Sequence, residues 1–308
     1  MPLTEVICAM SIKRLTREKR EARIAYMIII PFFIYIAFWN LLPLINGIIY
    51  GFTEYNALSP PTWVGLENFR RFFDSNNPYL TLLWRQIWMG LLALSINTVL
   101  SFFIALGLNV KVVGRGFFRV CVYIPAVAAV PVTTAVFVSL LDPANGGFNR
   151  FLSSIGQTPI AWSHSQFWMV VWIIIFFVWR NVGMAAIIWL GGLQGIDPAL
   201  HEAAQVDGAT KIQRLRYITI PGLRFVAGYI ILTGIIAVMQ MFDAIMFISV
   251  GNPFGQTDVL MYRIFRYGAV HFNLGMAGAS STILGILTLI FAIIYLRLNF
   301  RREEKENA

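Results

Sequence analysis

The sequence predicts an all-α integral membrane protein with six transmembrane helices and a helix-turn-helix loop on the cytoplasmic side. Of 308 residues, 58% are hydrophobic and only 13% are charged, whereas soluble domains average about 45–50% and about 25%. The apolar residues fall into six stretches, each of the roughly 20 residues that a helix needs to cross a bilayer. The charged residues lie mostly between these stretches, as expected if the stretches are in hydrocarbon.

The six predicted spans divide the chain into three parts. We expect residues 1–23 to form a basic cytoplasmic N-terminus, 24–300 to form the six-helix membrane domain with its loop at 196–221, and 301–308 to form a cytoplasmic tail. The spans are predicted at 24–50, 86–108, 117–141, 167–193, 225–250 and 275–298.

The distribution of basic residues predicts the orientation. Of the 24 Lys and Arg, 17 lie near the two termini, between spans two and three, or between spans four and five. Six lie on the opposite side of the predicted membrane, and Arg180 lies within a span. Because cytoplasmic loops collect Lys and Arg, both termini are predicted to be cytoplasmic. The net charge of +9 has the same explanation. Since no aqueous segment carries an Arg-aromatic stripe, we expect a lipid bilayer and no nucleic acid as partner.

The sequence gives no indication of a metal centre or an active site. Cys8 and Cys121 lie far apart without neighbouring metal-ligand residues, and the three histidines lie in loops without catalytic neighbours. A membrane enzyme would need His, Asp or Glu clustered near one membrane face. The charged stretch 13–23 leads into a span too long for a signal peptide, so no cleaved signal is expected.

Two polar segments, 53–83 and 142–166, are predicted to lie outside. They are rich in Asn, Pro, Gly, Ser and Trp, which is typical of solvated turns with aromatic anchors at the membrane interface. A small external cap that meets a partner is equally compatible with this composition.

The cytoplasmic loop 196–221 is predicted to be structured. Asp197 before Pro198 is typical of a helix N-cap and first helical position, and Gly208 is suited to ending that helix. Thr210 and Gln213 have the spacing of a capping box, which starts a second helix. Such a loop can transmit force from a soluble motor, but an amphipathic helix pair that only braces the bundle fits equally well.

The same loop resembles the "EAA" motif of binding-protein-dependent ABC importer permeases. That motif is Glu-Ala-Ala, three residues, Gly, nine residues, Ile, one residue, Leu-Pro, and this chain departs from it only at Ile220, where Leu is usual. Phe242-Asp243, followed by an external turn with Gly251-Asn252-Pro253 in place of Gly-Gly-Pro, is similar to the carbohydrate-type branch, which includes maltose and glycerol-3-phosphate permeases. The matching residues are Glu202, Ala203, Ala204, Asp207, Gly208, Ile218 and Pro221.

The resemblance implies one subunit of a larger machine in the bacterial cytoplasmic membrane. A second homologous permease, two ATPase subunits and an extracytoplasmic solute-binding protein would be its partners. The loop would be the coupling helix that docks on the ATPase, with Glu202 and Gly208 critical. Since the chain has no Gly-rich run ending in Lys-Ser/Thr, it is expected to bind no cofactor, with ATP and Mg used by the ATPase.

Four polar residues within predicted spans are candidates for a translocation path: Arg180, Asn181, Gln240 and Asp243. A central Arg costs at least about 2.5–3.5 kcal/mol to insert, so it should face a cavity or a partner. Arg180 is therefore expected either to line the path or to pair with an acid or with backbone carbonyls, and Asp243 is its candidate acid. The aromatic residues of the spans, Trp172, Trp179, Phe242 and Phe247, either stack on sugars or pack.

These features favour uptake of a neutral mono- or oligosaccharide. The alternatives are an ABC permease for glycerol-3-phosphate or another small solute and, in a different class, an ion-coupled secondary transporter. The last would be expected to show internal repeats and several intramembrane carboxylates. This chain has one evident intramembrane acid, Asp243, and no visible repeat.

Overall fold

The computed structural model is mostly helical. Several features predicted from the sequence lie outside the described residues: the N-terminal segment up to residue 20 with Cys8, and the Gly251-Asn252-Pro253 turn. The structure describes residues 21–74, 76–110, 113–162, 165–248 and 257–306, with side chains up to residue 297.

Four long apolar helices correspond to the first, second, fourth and sixth predicted spans. They are α1 (Glu21–Tyr50), α3 (Tyr79–Asn109), α7 (Gln166–Gly195) and α13 (Leu274–Glu306). Helix α3 begins seven residues before its predicted start, and it includes Arg85. This guanidinium is accommodated because its Nη1 donates to the carbonyl oxygen of Asp258 at 3.0 Å.

The remaining helices are shorter, and two small strands pair antiparallel as a hairpin. The strands are β1 (Thr53–Glu54) and β2 (Thr62–Trp63). The shorter helices are α2 (Glu67–Phe73), α4 (Arg115–Val127), α5 (Val130–Leu140), α6 (Gly147–Ser154), α8 (Pro198–Val206), α9 (Lys211–Gly222), α10 (Arg224–Met239), α11 (Asp243–Ile248) and α12 (Leu260–Phe265).

The third and fifth predicted spans are wrong as single straight helices. In the third, α4 and α5 meet at 97°, where Ala128 and Ala129 are extended. Pro131, at the start of α5, has no N–H to continue the helix. The fifth span breaks after Met239 and resumes as α11, while α9 and α10 meet at 63°. Among the described residues, four helices are long enough to cross a membrane, or six if each bent pair is one span.

The core lies between α3 and α7, which pack along each other, while α4, α10 and α11 surround them. Glycines permit the closest approaches. A Cβ at Gly183 of α7 would lie 2.0 Å from the carbonyl oxygen of Val122 on α4. Helix α13 packs against the C-terminal third of α1 and against α10 and α12.

In the sixth span Ala277, Ser281 and Gly285 recur at a spacing of four residues, a pattern of small residues that predicts close helix packing. Ala277 is buried, but the other two do not pack within this chain. Ser281 is exposed, and a Cβ at Gly285 would meet no atom within 4 Å. The close contact in α13 is made instead by Gly278, where a Cβ would lie 2.4 Å from the carbonyl oxygen of Gly47. The predicted packing is therefore seen at Ala277 and at its neighbour Gly278, and it is not seen at Ser281 or Gly285.

Candidate functional site

The loop between α7 and α10 has the local structure that its sequence predicts. The Asp197 carboxylate accepts the N–H of Ala199 at 2.9 Å and caps α8. Gly208 follows that helix with φ +81°, a conformation in which a residue without a Cβ is favoured. Thr210 and Gln213 form a reciprocal capping box that starts α9. Helix α9 ends one residue after Pro221.

The second helix of the loop departs from a regular α-helix. Residues Leu215–Thr219 form a wide π turn, in which the N–H of Ile220 donates to the carbonyl of Leu215. Pro221 has no N–H to continue the helical pattern, and single π turns accommodate such irregularities. The sequence predicts an ordinary helix here, because a π turn has no compositional signal of its own.

The loop protrudes and is largely exposed. No residue of α8 is buried, and Glu202, Ala203, Asp207, Gly208 and Pro221 are exposed, whereas Ala204 and Ile218 are half-buried. Several apolar side chains are exposed as well: Leu200 at 54%, Val206 at 87% and Ile212 at 76%.

The two helices of the loop are braced against each other. The Arg214 guanidinium on α9 donates to the side-chain oxygen of Gln205 on α8 at 3.1 Å. The arrangement can therefore act as a stiff element with an apolar contact surface, although this geometry alone does not assign its partner.

All four predicted path residues line one cavity of about 200 Å³, which we call the central cavity. Arg180 and Asn181 approach it from α7, and Gln240 and Asp243 from the break between α10 and α11. The break thus places polar backbone and side chains beside a cavity, where membrane proteins tolerate irregular backbone. The translocation role of these four residues stays a prediction.

Arg180 donates to backbone carbonyls. Its Nη1 lies 2.9 Å from the oxygen of Ala128 and 3.4 Å from that of Pro125, which are carbonyls freed by the break between α4 and α5. The suggested ion pair with Asp243 is absent between these two described residues. Of the two expectations for Arg180, lining a cavity and pairing with carbonyls, the structure therefore shows both.

Gln86 secures the second break, and sequence reasoning missed it. This fully buried amide on α3 donates to the carbonyls of Val238 and Met239 at the end of α10. Its oxygen accepts the N–H of Met261 at 3.0 Å, near the start of α12. One side chain therefore caps one helix end and one helix start. A lone amide in an apolar stretch was the available signal, but its position at the predicted start of a span made it look peripheral.

A second cavity of about 170 Å³ adjoins the first and shares Phe177, Asn181 and Ala237 with it. It too contains a residue that the sequence analysis missed. Asn97 on α3 lines it, and its buried side-chain oxygen has no hydrogen-bond partner. The two cavities follow each other along α7 towards the loop, and the second is lined mostly by apolar residues.

The four aromatic candidates differ in their surroundings. Phe242 lines the first cavity and packs on Phe265, with ring centroids 5.4 Å apart. Trp179 packs on Phe137 at 5.2 Å, and Trp172 packs on Phe148 at 4.7 Å. Phe247 is half-buried. Phe242 is therefore the one of the four that lies beside the predicted path residues.

Comparison with known families gives a match over most of the chain. Residues 97–303 match the family described as "Binding-protein-dependent transport system inner membrane component". This segment contains the loop and both breaks.

Relatives and a solved structure extend the match. The trehalose/maltose transport system permease protein MalF of Thermococcus litoralis is 29% identical over 92% of this chain and 96% of its own. The sn-glycerol-3-phosphate transport system permease protein UgpA of Salmonella typhimurium is 27% identical over 76% of this chain and 79% of its own. A probable ABC transporter permease protein of Sinorhizobium fredii is 31% identical over 80% of both. A chain of a bacterial ABC transporter involved in the import of the acidic polysaccharide alginate has the same fold, with a TM-score of 0.82 and 23% identity. The match covers 94% of this chain and 99% of that chain.

Proposed function

The chain belongs to the family of binding-protein-dependent transport system inner membrane components, and from this premise we propose that it is the permease subunit of an ATP-driven importer of a neutral mono- or oligosaccharide. The observation that carries the proposal is the conjunction of a protruding, capped loop with a partly polar cavity in the same apolar bundle. The first suits coupling to a soluble motor, and the second suits passage of a hydroxylated solute.

Coupling is assigned to the loop 196–221. Its exposed Leu200, Val206 and Ile212 offer an apolar surface to a protein partner, since such exposed groups gain free energy when they are buried. The proposed partners are two ATPase subunits, a second homologous permease and an extracytoplasmic solute-binding protein, with ATP and Mg bound by the ATPase. Glu202→Lys, an exposed charge reversal, should leave membrane insertion intact and abolish substrate-stimulated ATP hydrolysis.

A neutral solute suits the charges of the cavity. Its two ionisable residues, Arg180 and Asp243, have opposite signs, and Arg180 already donates to two carbonyls. Asn181 and Gln240 offer neutral donors and acceptors for hydroxyl groups, and Phe242 offers an apolar face. A phosphorylated solute would require more cations than this cavity provides.

Glycerol-3-phosphate is the second candidate substrate. The observation in its favour is the UgpA relative, whose name states that it transports this compound. The MalF relative, which is named for trehalose and maltose, matches more of the chain. The charge balance of the cavity supports the neutral sugar.

Reconstituted uptake tests the proposal. The permease pair, ATPase and binding protein are placed in liposomes loaded with ATP, and uptake is measured for neutral sugars, glycerol-3-phosphate and peptides. We expect ATP-dependent uptake of at least one neutral sugar, and no uptake with an ATPase that cannot hydrolyse ATP. Uptake of only charged solutes would refute the sugar assignment, and uptake independent of ATP would refute the importer class.

A further inference from the structure

Two arginines share one acceptor at the end of the bundle that carries the loop. Arg115 and Arg119 lie one turn apart at the start of α4, and Gln194 lies at the end of α7, just before the loop. With the Gln194 amide oriented to satisfy all three side chains, its oxygen accepts from Nη2 of Arg115 at 2.7 Å and from Nη2 of Arg119 at 3.0 Å. The two guanidinium groups are therefore held side by side. We call these three residues the arginine site.

The positive charge of the arginine site is not balanced within the described part of the chain. Neither Arg115 nor Arg119 forms an ion pair among the described residues, and a neutral amide cannot compensate two charges. Like charges held this close repel each other, and more strongly where water is partly excluded. Each Nε is enclosed by protein and has no partner. The arrangement therefore favours an anion supplied from outside the chain.

The start of α4 adds to the same charge. Arg115 is the first residue of this helix, and no side chain caps it at Gly114. The first turn contains no acidic residue, although the positive end of a helix dipole favours acids there and disfavours basic residues. The arginine pair carries the case for a ligand, and the helix start favours the same one, an anion with several acceptor oxygens.

A ligand can reach the arginine site through the outer guanidinium atoms. Both arginines are half-buried, and Gln194 is exposed. Within the two described guanidinium groups, Nη2 is bonded to Gln194 and Nε is enclosed, whereas Nη1 is neither bonded nor enclosed. The contacts with a ligand are therefore assigned to the two Nη1 donors, and the Nε atoms take no part.

Exposed apolar side chains adjoin the arginine site. Val113 is 99% exposed, Phe117 69% and Phe118 52%, and the exposed apolar surface continues along α4 at Val120 and Ile124. Helix α4 is half of a candidate membrane span, so this surface faces the acyl chains of lipids. A ligand at the site therefore meets cations at one end and apolar groups at the other. An anionic phospholipid has this form, and basic pockets between membrane helices bind such head groups.

We propose that the arginine site binds the phosphate group of an anionic phospholipid, with phosphatidylglycerol as the test case, at the membrane surface on the side of the loop. Helices α4 and α7 pack on each other, and the site joins the start of one to the end of the other. The bound lipid therefore braces the helix end from which the loop leaves the bundle. The proposal holds whichever solute the transporter carries.

Lipid binding to the purified transporter tests the site directly. The complete complex in detergent is titrated with phosphatidylglycerol or phosphatidylcholine, and native mass spectrometry gives the apparent dissociation constant of the first bound lipid. We expect phosphatidylglycerol to bind at least about tenfold more tightly than phosphatidylcholine. Arg115→Gln and Arg119→Gln each keep an amide donor and lose the charge, so each should reduce that preference about fivefold. Equal affinities for the two lipids in the wild-type complex overturn the proposal.

A pair of double variants separates this site from a general attraction of basic surface to anionic lipid. Arg115→Gln with Arg119→Gln should lower the preference at least tenfold. The matched control is Arg216→Gln with Arg297→Gln, which removes two exposed arginines on the predicted cytoplasmic side but outside the site. This control should change the preference less than twofold, and equal losses in the two double variants overturn the proposal.

Gln194→Glu tests the site in a protein that keeps both arginines. The carboxylate retains an acceptor oxygen between Arg115 and Arg119 and adds the missing negative charge, so it should compete with the lipid phosphate. We expect the preference for phosphatidylglycerol to fall at least tenfold while the thermal midpoint of the complex stays the same or rises. An unchanged preference in Gln194→Glu overturns the proposal even if the double arginine variant fails to fold.

Two further outcomes would identify a different ligand. Inorganic phosphate in large excess should not displace phosphatidylglycerol, because the acyl chains bind the apolar surface beside the site; displacement would assign the site to a free anion. Loss of the ATPase from the double arginine variant, with an unchanged lipid preference, would assign the arginines to an acidic group of that partner. Either result overturns the lipid site.

Discussion

Substitution of Gly208 separates the conformation of the loop from its side-chain contacts. The residue has φ +81°, and no heavy atom lies within 4 Å of the position that its Cβ would take. Within this chain a new side chain meets open space, so its cost comes from the backbone alone. That cost is about 1–2 kcal/mol for an ordinary L-residue in the left-handed region. It is lower for asparagine, which adopts this region more often, and higher for a β-branched residue.

The expected result is a graded series at one position. A cost of 1–2 kcal/mol changes the ratio of the observed turn to its alternatives by about 5- to 30-fold. Gly208→Asn should therefore retain most sugar-stimulated ATP hydrolysis, Gly208→Ala should lose several-fold, and Gly208→Val should lose at least about tenfold. The control is Gly191→Ala, which also meets open space but lies within the helix α7, where alanine is the better helix former.

The measurement is ATP hydrolysis and uptake by the reconstituted complex, with the retained ATPase quantified after purification. Wild-type rates in Gly208→Val would refute the need for this turn. An equal loss of ATP hydrolysis and uptake in Gly208→Asn and Gly208→Val would show that backbone strain is not the cause. It would indicate instead a partner surface that excludes any side chain at this position. The graded order supports the turn as the element that fixes the angle between α8 and α9.

Three further predictions address the bundle. Gln86→Leu removes three hydrogen bonds to backbone groups, and each buried group left unpaired costs about 1–3 kcal/mol. The thermal midpoint of the purified complex should therefore fall by several degrees, and a midpoint equal to that of wild type contradicts the capping role. Arg180→Ala and Asp243→Ala should reduce uptake at least tenfold while basal ATP hydrolysis remains measurable, and Arg180→Lys, which keeps a charged donor, should be milder than Arg180→Ala; normal uptake by both alanine variants contradicts the predicted path. In a cysteine-free background, an impermeant thiol reagent should label Asn76→Cys but not Gln213→Cys in intact cells, and labelling of the latter contradicts the predicted orientation.

The local structure of the loop could be predicted because its signals are local. Asp197 caps the helix that starts at the next residue, and the box of Thr210 and Gln213 spans four residues. Gly208 takes a conformation that its own lack of a Cβ favours. None of these features depends on the rest of the fold, so one sequence is sufficient to place them.

The breaks in the third and fifth spans could not be predicted from the same evidence. Hydropathy is averaged over a window of residues, so it does not locate a break within an apolar stretch. Proline is common in membrane helices, so Pro125 and Pro131 do not by themselves distinguish a slight kink from the observed bend of 97°. The groups that stabilise each break come from distant parts of the chain. Gln86 is 152 residues from Val238, and Arg180 is 52 residues from Ala128.

The same dependence explains why polar residues deep in this bundle have two roles. A broken helix in a membrane leaves carbonyls that must be satisfied, and Arg180 and Gln86 satisfy them from neighbouring helices. One of the breaks places Gln240 and Asp243 at the central cavity, and Gln86 caps the helix end at that break. A variant at Arg180 therefore changes both the charge of the central cavity and the capping of the break between α4 and α5. Asn181, whose amide nitrogen bonds only its own helix at 2.8 Å, is the cleaner site: Asn181→Leu should impair uptake without lowering the thermal midpoint, and a lowered midpoint with normal uptake would assign it to packing.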